Sequence, residues 1–304
     1  MSKAIVFDEY GPPSVLRLID REVPAPGPGE VRIRVKAAGI QPFDCLFRSG
    51  AARQWMPAQF PQGLGNEFAG VVDAVGADVS SFVIGDEVLG WAVLCSHAEV
   101  VCAPPTAIVR KPASMPWSEA GVLSASGQTA ATAISAVGVG PADVLIVHAA
   151  AGGVGSMAVQ LARAAGAQVI GTASIRNHDY VRSLGATPVA YGDGLLARVR
   201  DLAPEGITAA IVAANSDEAL QSSVELVSDR ARIGVVSFNP LTQTLRLKRI
   251  STNRSTSGLA ALTQLYEAGQ LKVHVQEMVG FGEAAKAHEL IESGHVRGKI
   301  ALIP

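Results

Sequence analysis

The sequence predicts an α/β fold in which a doubly wound parallel sheet is inserted into a β-rich domain. Three observations carry that prediction. Residues 144–155 read VLIVHAAAGGVG, an apolar run that ends in glycines. Strand and helix patterns alternate through the middle of the chain, and the N-terminal third is strand-like with turn-rich connections.

The elements follow in order. The start MSKAIVFDEYG is strand-like, and the Pro/Gly knot at 24–30 is a surface turn. Residues 31–36 (VRIRVK) alternate apolar and basic side chains, the period of a half-buried strand, and further strands are expected at 70–75, 87–90 and 98–102. From Ser118 the pattern turns to alanine-rich helix, over 119–123 and 127–137. Val144, Leu145, Ile146 and Val147 carry no charge, as expected of a strand covered on both faces in a parallel sheet. Gly152, Gly153 and Gly155 are expected to supply the tight turn. Met157, Val159, Gln160, Leu161 and Ala164 then repeat with helical spacing over 156–165. A second strand at 168–171 completes a right-handed βαβ unit. Strands are expected at 187–190, 209–213, 232–237 and, as a sixth, 245–250, with helices at 217–227 and 258–268. A helix at 282–292 and a strand at 299–303 close the chain. This divides it into a substrate (catalytic) domain, 1–117 plus 271–304, and a nucleotide-binding domain, 118–270, with a cofactor cleft expected between them.

Composition limits the function classes. A chain of 304 residues exceeds one core. A net charge of −2 with 17% charged residues, neither patched nor tailed, argues against nucleic acid or membrane surfaces as partners. No leader pattern and no membrane-length apolar run is present, so a cytoplasmic protein is expected. Cys45, Cys95 and Cys102 are too few and too scattered for a disulfide framework or a four-cysteine zinc site.

The glycine-rich segment reads as a phosphate cradle at a helix N-terminus, with Gly152, Gly153, Val154 and Gly155 facing a pyrophosphate and Ala150 standing where a dinucleotide fingerprint has its first glycine. NAD normally meets an acid at the end of the second strand. Here Thr172 to His178 offers none before Asp179. Hydroxyl, guanidinium and amide groups accept a 2′-phosphate that a carboxylate would repel, so NADPH is expected over NADH. Ser174 and Arg176 are the first candidates for that contact, Asn177 and Tyr191 the second; the other reading of Arg176 is a solvated cation at a helix start.

Several motifs occur together: Ala37-Ala38-Gly39-Ile40 followed by Asp44, the run Gly63-Leu64-Gly65-Asn66-Glu67-Phe68-Ala69-Gly70, then Gly85-Asp86-Glu87-Val88, Gly127-Gln128-Thr129-Ala130, AAAGGVG, and Gly298-Lys299-Ile300. In these the chain resembles the medium-chain dehydrogenase/reductase superfamily, and within it the zinc-independent quinone oxidoreductase-like branch. The resemblance implies a Rossmann domain inserted in a GroES-like domain, and a reductase that passes hydride from NADPH to a quinone or the activated C=C of an enone. Zinc-dependent members place Cys and His where this chain has Gln41 and Asn66, so no catalytic metal is expected. Gln41 and Asp44 become the catalytic candidates, with Arg48 beside them; Asp44 reads equally as a turn carboxylate bonding nearby N–H groups. A lone His97 reads as structural. Thr129, Ala214, Asn215, Ser237, Phe238 and Lys299 are implied cofactor contacts, with Asn215 replacing the family's glycine.

Two other functions stay open: an enoyl-thioester reductase or reductive cyclase in biosynthesis, and a catalytically weak NADPH-binding sensor. A homodimer is expected because the sixth strand would leave an unpaired edge.

Overall fold

The computed structural model describes residues 1–304. In chain order the N-terminal elements are β1 Ser2–Phe7, β2 Arg17–Arg21, β3 Val31–Gly39, α1 Pro42–Arg48, β4 Gln62–Gly63, β5 Phe68–Val75, β6 Glu87–Gly90, β7 Val100–Ala103, β8 Ile108–Arg110 and α2 Trp117–Ala120. The middle holds α3 Leu123–Ala136, β9 Val144–His148, α4 Gly153–Ala164, β10 Gln168–Thr172, α5 His178–Ser183, β11 Thr187–Val189, α6 Leu195–Leu202, β12 Ala209–Val212, α7 Asp217–Leu226, β13 Ile233–Val235, α8 Leu241–Thr244 and β14 Lys248–Arg249. Then come α9 Thr256–Glu267, β15 Val275–Gly280, α10 Ala284–Glu292 and β16 Lys299–Ile303. No helix is long and apolar enough to cross a membrane.

The backbone forms two compact units. One comprises Met1–Ala125, Ser255–Thr263 and Val273–Pro304; the other comprises Ser126–Arg254 and Gln264–Lys272.

In the first unit β3 is the hub. It pairs with β5, β7 and β16 in a seven-stranded sheet ordered β15-β16-β3-β5-β6-β8, while β2-β1-β4 form a small second sheet. The alternation read in VRIRVK is realised physically. Val31, Ile33 and Val35 are buried with Phe68, Val72, Val88 and Ile108, whereas Arg32 and Arg34 turn outward to Asp73 at 2.7 and 2.9 Å. After β3 the chain enters α1, which has Pro42 at its first position, where a missing N–H costs nothing. Phe7, Phe47 and Leu64 close a core beneath this helix.

The second unit is a six-stranded, wholly parallel sheet ordered β11-β10-β9-β12-β13-β14. The chain reverses its direction of winding between β9 and β12, and ligands of such sheets bind outside the strand C-termini at that point. At the opposite end Asp143 ties three segments together. Burial pushes its carboxyl up, but bonds from Thr208 Oγ1 (2.6 Å), Arg232 (2.9 Å) and the Gly140 N–H (2.7 Å) outweigh this and hold it below the usual carboxylate range.

The structure corrects two expectations. The sixth strand does not span 245–250. Pro240 starts a helical turn through Thr244, Arg246 takes a left-handed φ of 55°, and only Lys248–Arg249 pair with β13, so the exposed edge is two residues long. The glycine turn is also built differently. Helix α4 begins at Gly153 rather than 156, and the residue with positive φ is Ala149 (56°), before the glycines.

Candidate functional site

Helix α4 starts close against the end of β9, and glycine is required for that closeness. A Cβ on Gly155 would lie 2.1 Å from the Ala149 carbonyl oxygen and 3.0 Å from Ala150 Cα, both backbone atoms. Gly152 is the N-cap in extended conformation, and a Cβ there would meet Ala149 O only at 3.4 Å. The first turn of α4, Gly153, Val154 and Gly155, carries N–H groups without intrahelical partners, a ready anion site. Strand β10 braces the loop. The Ala149 N–H donates to Thr172 Oγ1 (3.2 Å) and the Ala150 N–H to Thr172 O (2.9 Å). His148 beneath it is buried, and burial lowers its imidazole to about 4.

At the end of β10, Ser174 caps the short turn Ile175–Asn177. The Asn177 N–H donates to Ser174 O (2.8 Å) and its side-chain amide to Ser174 Oγ (3.2 Å). Ser174 and Asn177 are half-buried, Arg176 is exposed, and Tyr191, after β11, is 54% exposed. Asn215 is exposed beyond β12. Beyond β13, Ser237 is buried with no partner at Oγ, and Arg249 lies 4.3 Å over the Phe238 ring. Thr129, on α3, meets Thr252 at 2.7 Å. Among the cofactor candidates, Ala150, the cradle glycines, Val154, Ser174, Arg176, Asn177, Tyr191, Asn215, Ser237 and Phe238 thus follow the C-terminal ends of parallel strands of one sheet, whereas Thr129 lies on α3 and Lys299 belongs to the first unit.

That unit holds a buried polar cluster at the start of α1. Asp44 accepts from the Gln41 N–H (2.7 Å), the Gly65 N–H (3.2 Å) and Asn66 Nδ2 (2.9 Å). Desolvation raises its carboxyl, and His97, the Gln41 and Gly65 N–H bonds and Lys299 oppose the rise without cancelling it. The turn-carboxylate reading of Asp44 therefore describes its contacts. The Gln41 side chain is half-buried, and its amide nitrogen donates to Glu67 Oε1. Lys299 Nζ lies 3.0 Å from the same oxygen and 3.1 Å from Ile40 O. Arg48 is buried, bonding Gly11 O (2.6 Å) and Glu292. His97 Nε2 meets Gly39 O at 3.1 Å. Cys45 is buried, its thiol is pushed up by desolvation, and its Sγ lies 3.8 Å from His288 O. Glu67, His148 and Thr172 were not singled out from the sequence. The signal for Glu67 was a lone carboxylate leading into the apolar run Phe68-Ala69-Gly70.

Comparison with known proteins gives two family matches: the alcohol dehydrogenase GroES-like domain over residues 27–124, and the zinc-binding dehydrogenase family over 153–271. A quinone oxidoreductase of Sus scrofa is 30% identical over 100% of this chain and 98% of its own length. The solved Escherichia coli quinone oxidoreductase in complex with NADPH is 26% identical, with a TM-score of 0.88, covering 99% of this chain and 100% of the other. A solved NAD-dependent alcohol dehydrogenase is 28% identical with a TM-score of 0.89, covering 99% of each chain.

Proposed function

Because the chain belongs to the medium-chain dehydrogenase/reductase superfamily, in its quinone oxidoreductase-like branch, we propose that it is an NADPH-dependent, zinc-independent reductase of quinones or of the activated C=C of enones. The observation that carries the cofactor half is the end of β10. There Ser174, Arg176 and Asn177 stand beside the α4 cradle with no carboxylate before Asp179. The residues fit the group: the cradle admits no Cβ at Gly155, and the helix start favours anions. The E. coli relative was solved with NADPH, which supports this choice; the NAD-dependent relative makes it a matter for this chain's own residues.

NADPH, when bound, supplies the two-electron reducing equivalent. The N–H groups at the start of α4 would hold the diphosphate, and Ser174, Arg176, Asn177 and Tyr191 would take the 2′-phosphate, while Ala150, buried with its N–H given to Thr172 O, would only shape the loop beneath. Thr129, Asn215, Ser237 and Phe238 would line the remainder of the cofactor. Gln41 meets the substrate carbonyl with its amide and stabilises charge that develops on that oxygen. Asp44, saturated by three donors, fixes the backbone from which Gln41 projects. The donor set suits zinc poorly: the amide nitrogens of Gln41 and Asn66 face carboxylates, and burial holds Cys45 as a thiol.

The expected homodimer rests on the outer edge of the parallel sheet, now a two-residue ladder, and sedimentation at micromolar concentration reads it directly. Titration of the apo-protein with NADPH and NADH tests the cofactor assignment. NADPH should bind at least about tenfold more tightly, and equal or inverted affinities would remove the role given to Ser174 and Arg176.

A further inference from the structure

Glu67 is wholly buried, and the reduction as described gives it no part. Its carboxylate gathers three donors: Gln41 Nε2 and Lys299 Nζ (3.0 Å) at Oε1, and the Ala125 N–H (2.7 Å) at Oε2. Ala125 lies in the first turn of α3, where N–H groups lack intrahelical partners and negative charge is favoured. Lys299 is buried too, and its other bond goes to Ile40 O. The backbone is held too. The Gly39 N–H donates to Glu67 O at 3.3 Å, and a Cβ at Gly39 would fall 2.0 Å from Glu67 Oε1, so only glycine lets the carboxylate lie against the end of β3.

A carboxylate only accepts hydrogen bonds. It therefore selects the NH₂ end of the Gln41 amide, taking one N–H itself, and the second N–H of that group is the donor that a substrate oxygen would meet. We infer that Glu67, its charge neutralised by Lys299, is a positioning residue that locks the Gln41 amide in one orientation for the substrate carbonyl. This rests on the reading of Gln41 as the group that meets substrate. It also gives Lys299 a part in the first unit in place of the cofactor contact expected for it.

The test uses isotope-labelled glutamine in the apo-protein, with the Gln41 side-chain amide assigned by its loss in Gln41→Ala. Glu67→Gln/Lys299→Met removes both charges together, so no lone ammonium is left buried. Glu67→Asp keeps the charge for Lys299 but withdraws the carboxylate by one methylene, and serves if the first variant fails to fold. In either variant Gln41 amide exchange with solvent should rise at least about tenfold. The kcat against a quinone should fall at least about tenfold with the NADPH Kd within about twofold, and in a Gln41→Ala background the same change should cost less than about twofold. Unchanged amide exchange, or equal losses in both backgrounds, overturns the inference. A wild-type protein that reduces no quinone refutes the proposed function instead and leaves the amide readout intact.

Discussion

Gly155→Ala tests the construction of the phosphate cradle at a single atom. The added Cβ falls 2.1 Å from Ala149 O and 3.0 Å from Ala150 Cα, where ordinary contact begins near 3.4 Å. Both neighbours are backbone in a loop whose N–H groups are tied to Thr172, so no side chain can swing aside. Helix α4 must move outward by roughly an ångström, and overpacking of this kind costs about 1–3 kcal/mol. For a unit of this size that is a fall in Tm of about 2–4 °C per kcal/mol. The displaced helix start also carries the anion site, so NADPH affinity should drop at least about tenfold, beyond what the stability loss explains. Gly152→Ala is the matched control. Its Cβ meets Ala149 O at 3.4 Å with φ of −82°, so only the loss of a good N-cap residue remains, about 0.5–1 kcal/mol. Thermal unfolding and a fluorescence titration with NADPH read both effects. Equal costs for the two variants, or a neutral Gly155→Ala, would refute the close-approach reasoning.

Other outcomes follow from the same geometry. Ser174→Asp places a carboxylate where the 2′-phosphate is expected and should reverse or abolish the preference for NADPH over NADH while leaving Tm within about 2 °C; titration with both nucleotides reads it. Thr208→Val removes the 2.6 Å bond to Asp143 and should cost about 1–3 kcal/mol by urea denaturation, with NADPH affinity unchanged because that network lies at the other end of the sheet. The buried histidines set an acid limb. Burial holds His148 near 4 and, with the charges of His97 and Arg48, His288 near 3, below the ordinary 6.5. The unfolded chain therefore takes up protons first. The stability is fully present above pH 6.5 and is lost as pH falls, by roughly 3 kcal/mol per histidine at pH 4. His288→Leu should flatten that limb, and an unchanged slope between pH 6.5 and 4 would show that His288 is protonated in the fold.

The parts of this fold that declared themselves were those with strong periodicity. The uncharged Val144 to Val147 run and the alternating VRIRVK segment lie where their patterns place them, because burial on two faces or one leaves different residue spacings. The end of the sheet was less legible. In 245–250 the residue types suit an edge strand, but Pro240 and the Asn239 side chain, which accepts from the Leu241 N–H at 2.8 Å, start a helical turn first. The tight turn after β9 was read from its glycines, yet the left-handed residue is Ala149, in a loop held by two bonds to Thr172 from a strand more than twenty residues away. Glu67 was hidden for the same reason. Its meaning comes from Gln41, Ala125 and Lys299, three distant segments that only the folded chain assembles.

The central claim is reduction of an electrophilic acceptor by NADPH, and turnover tests it most directly. The purified wild-type protein is mixed with NADPH and a panel of free quinones, enones and an enoyl thioester, and the nicotinamide absorbance is followed. The account predicts steady NADPH oxidation with a quinone or enone, unaffected by metal chelators. Tight NADPH binding with no oxidation by any quinone or enone, or turnover confined to the thioester, would contradict it.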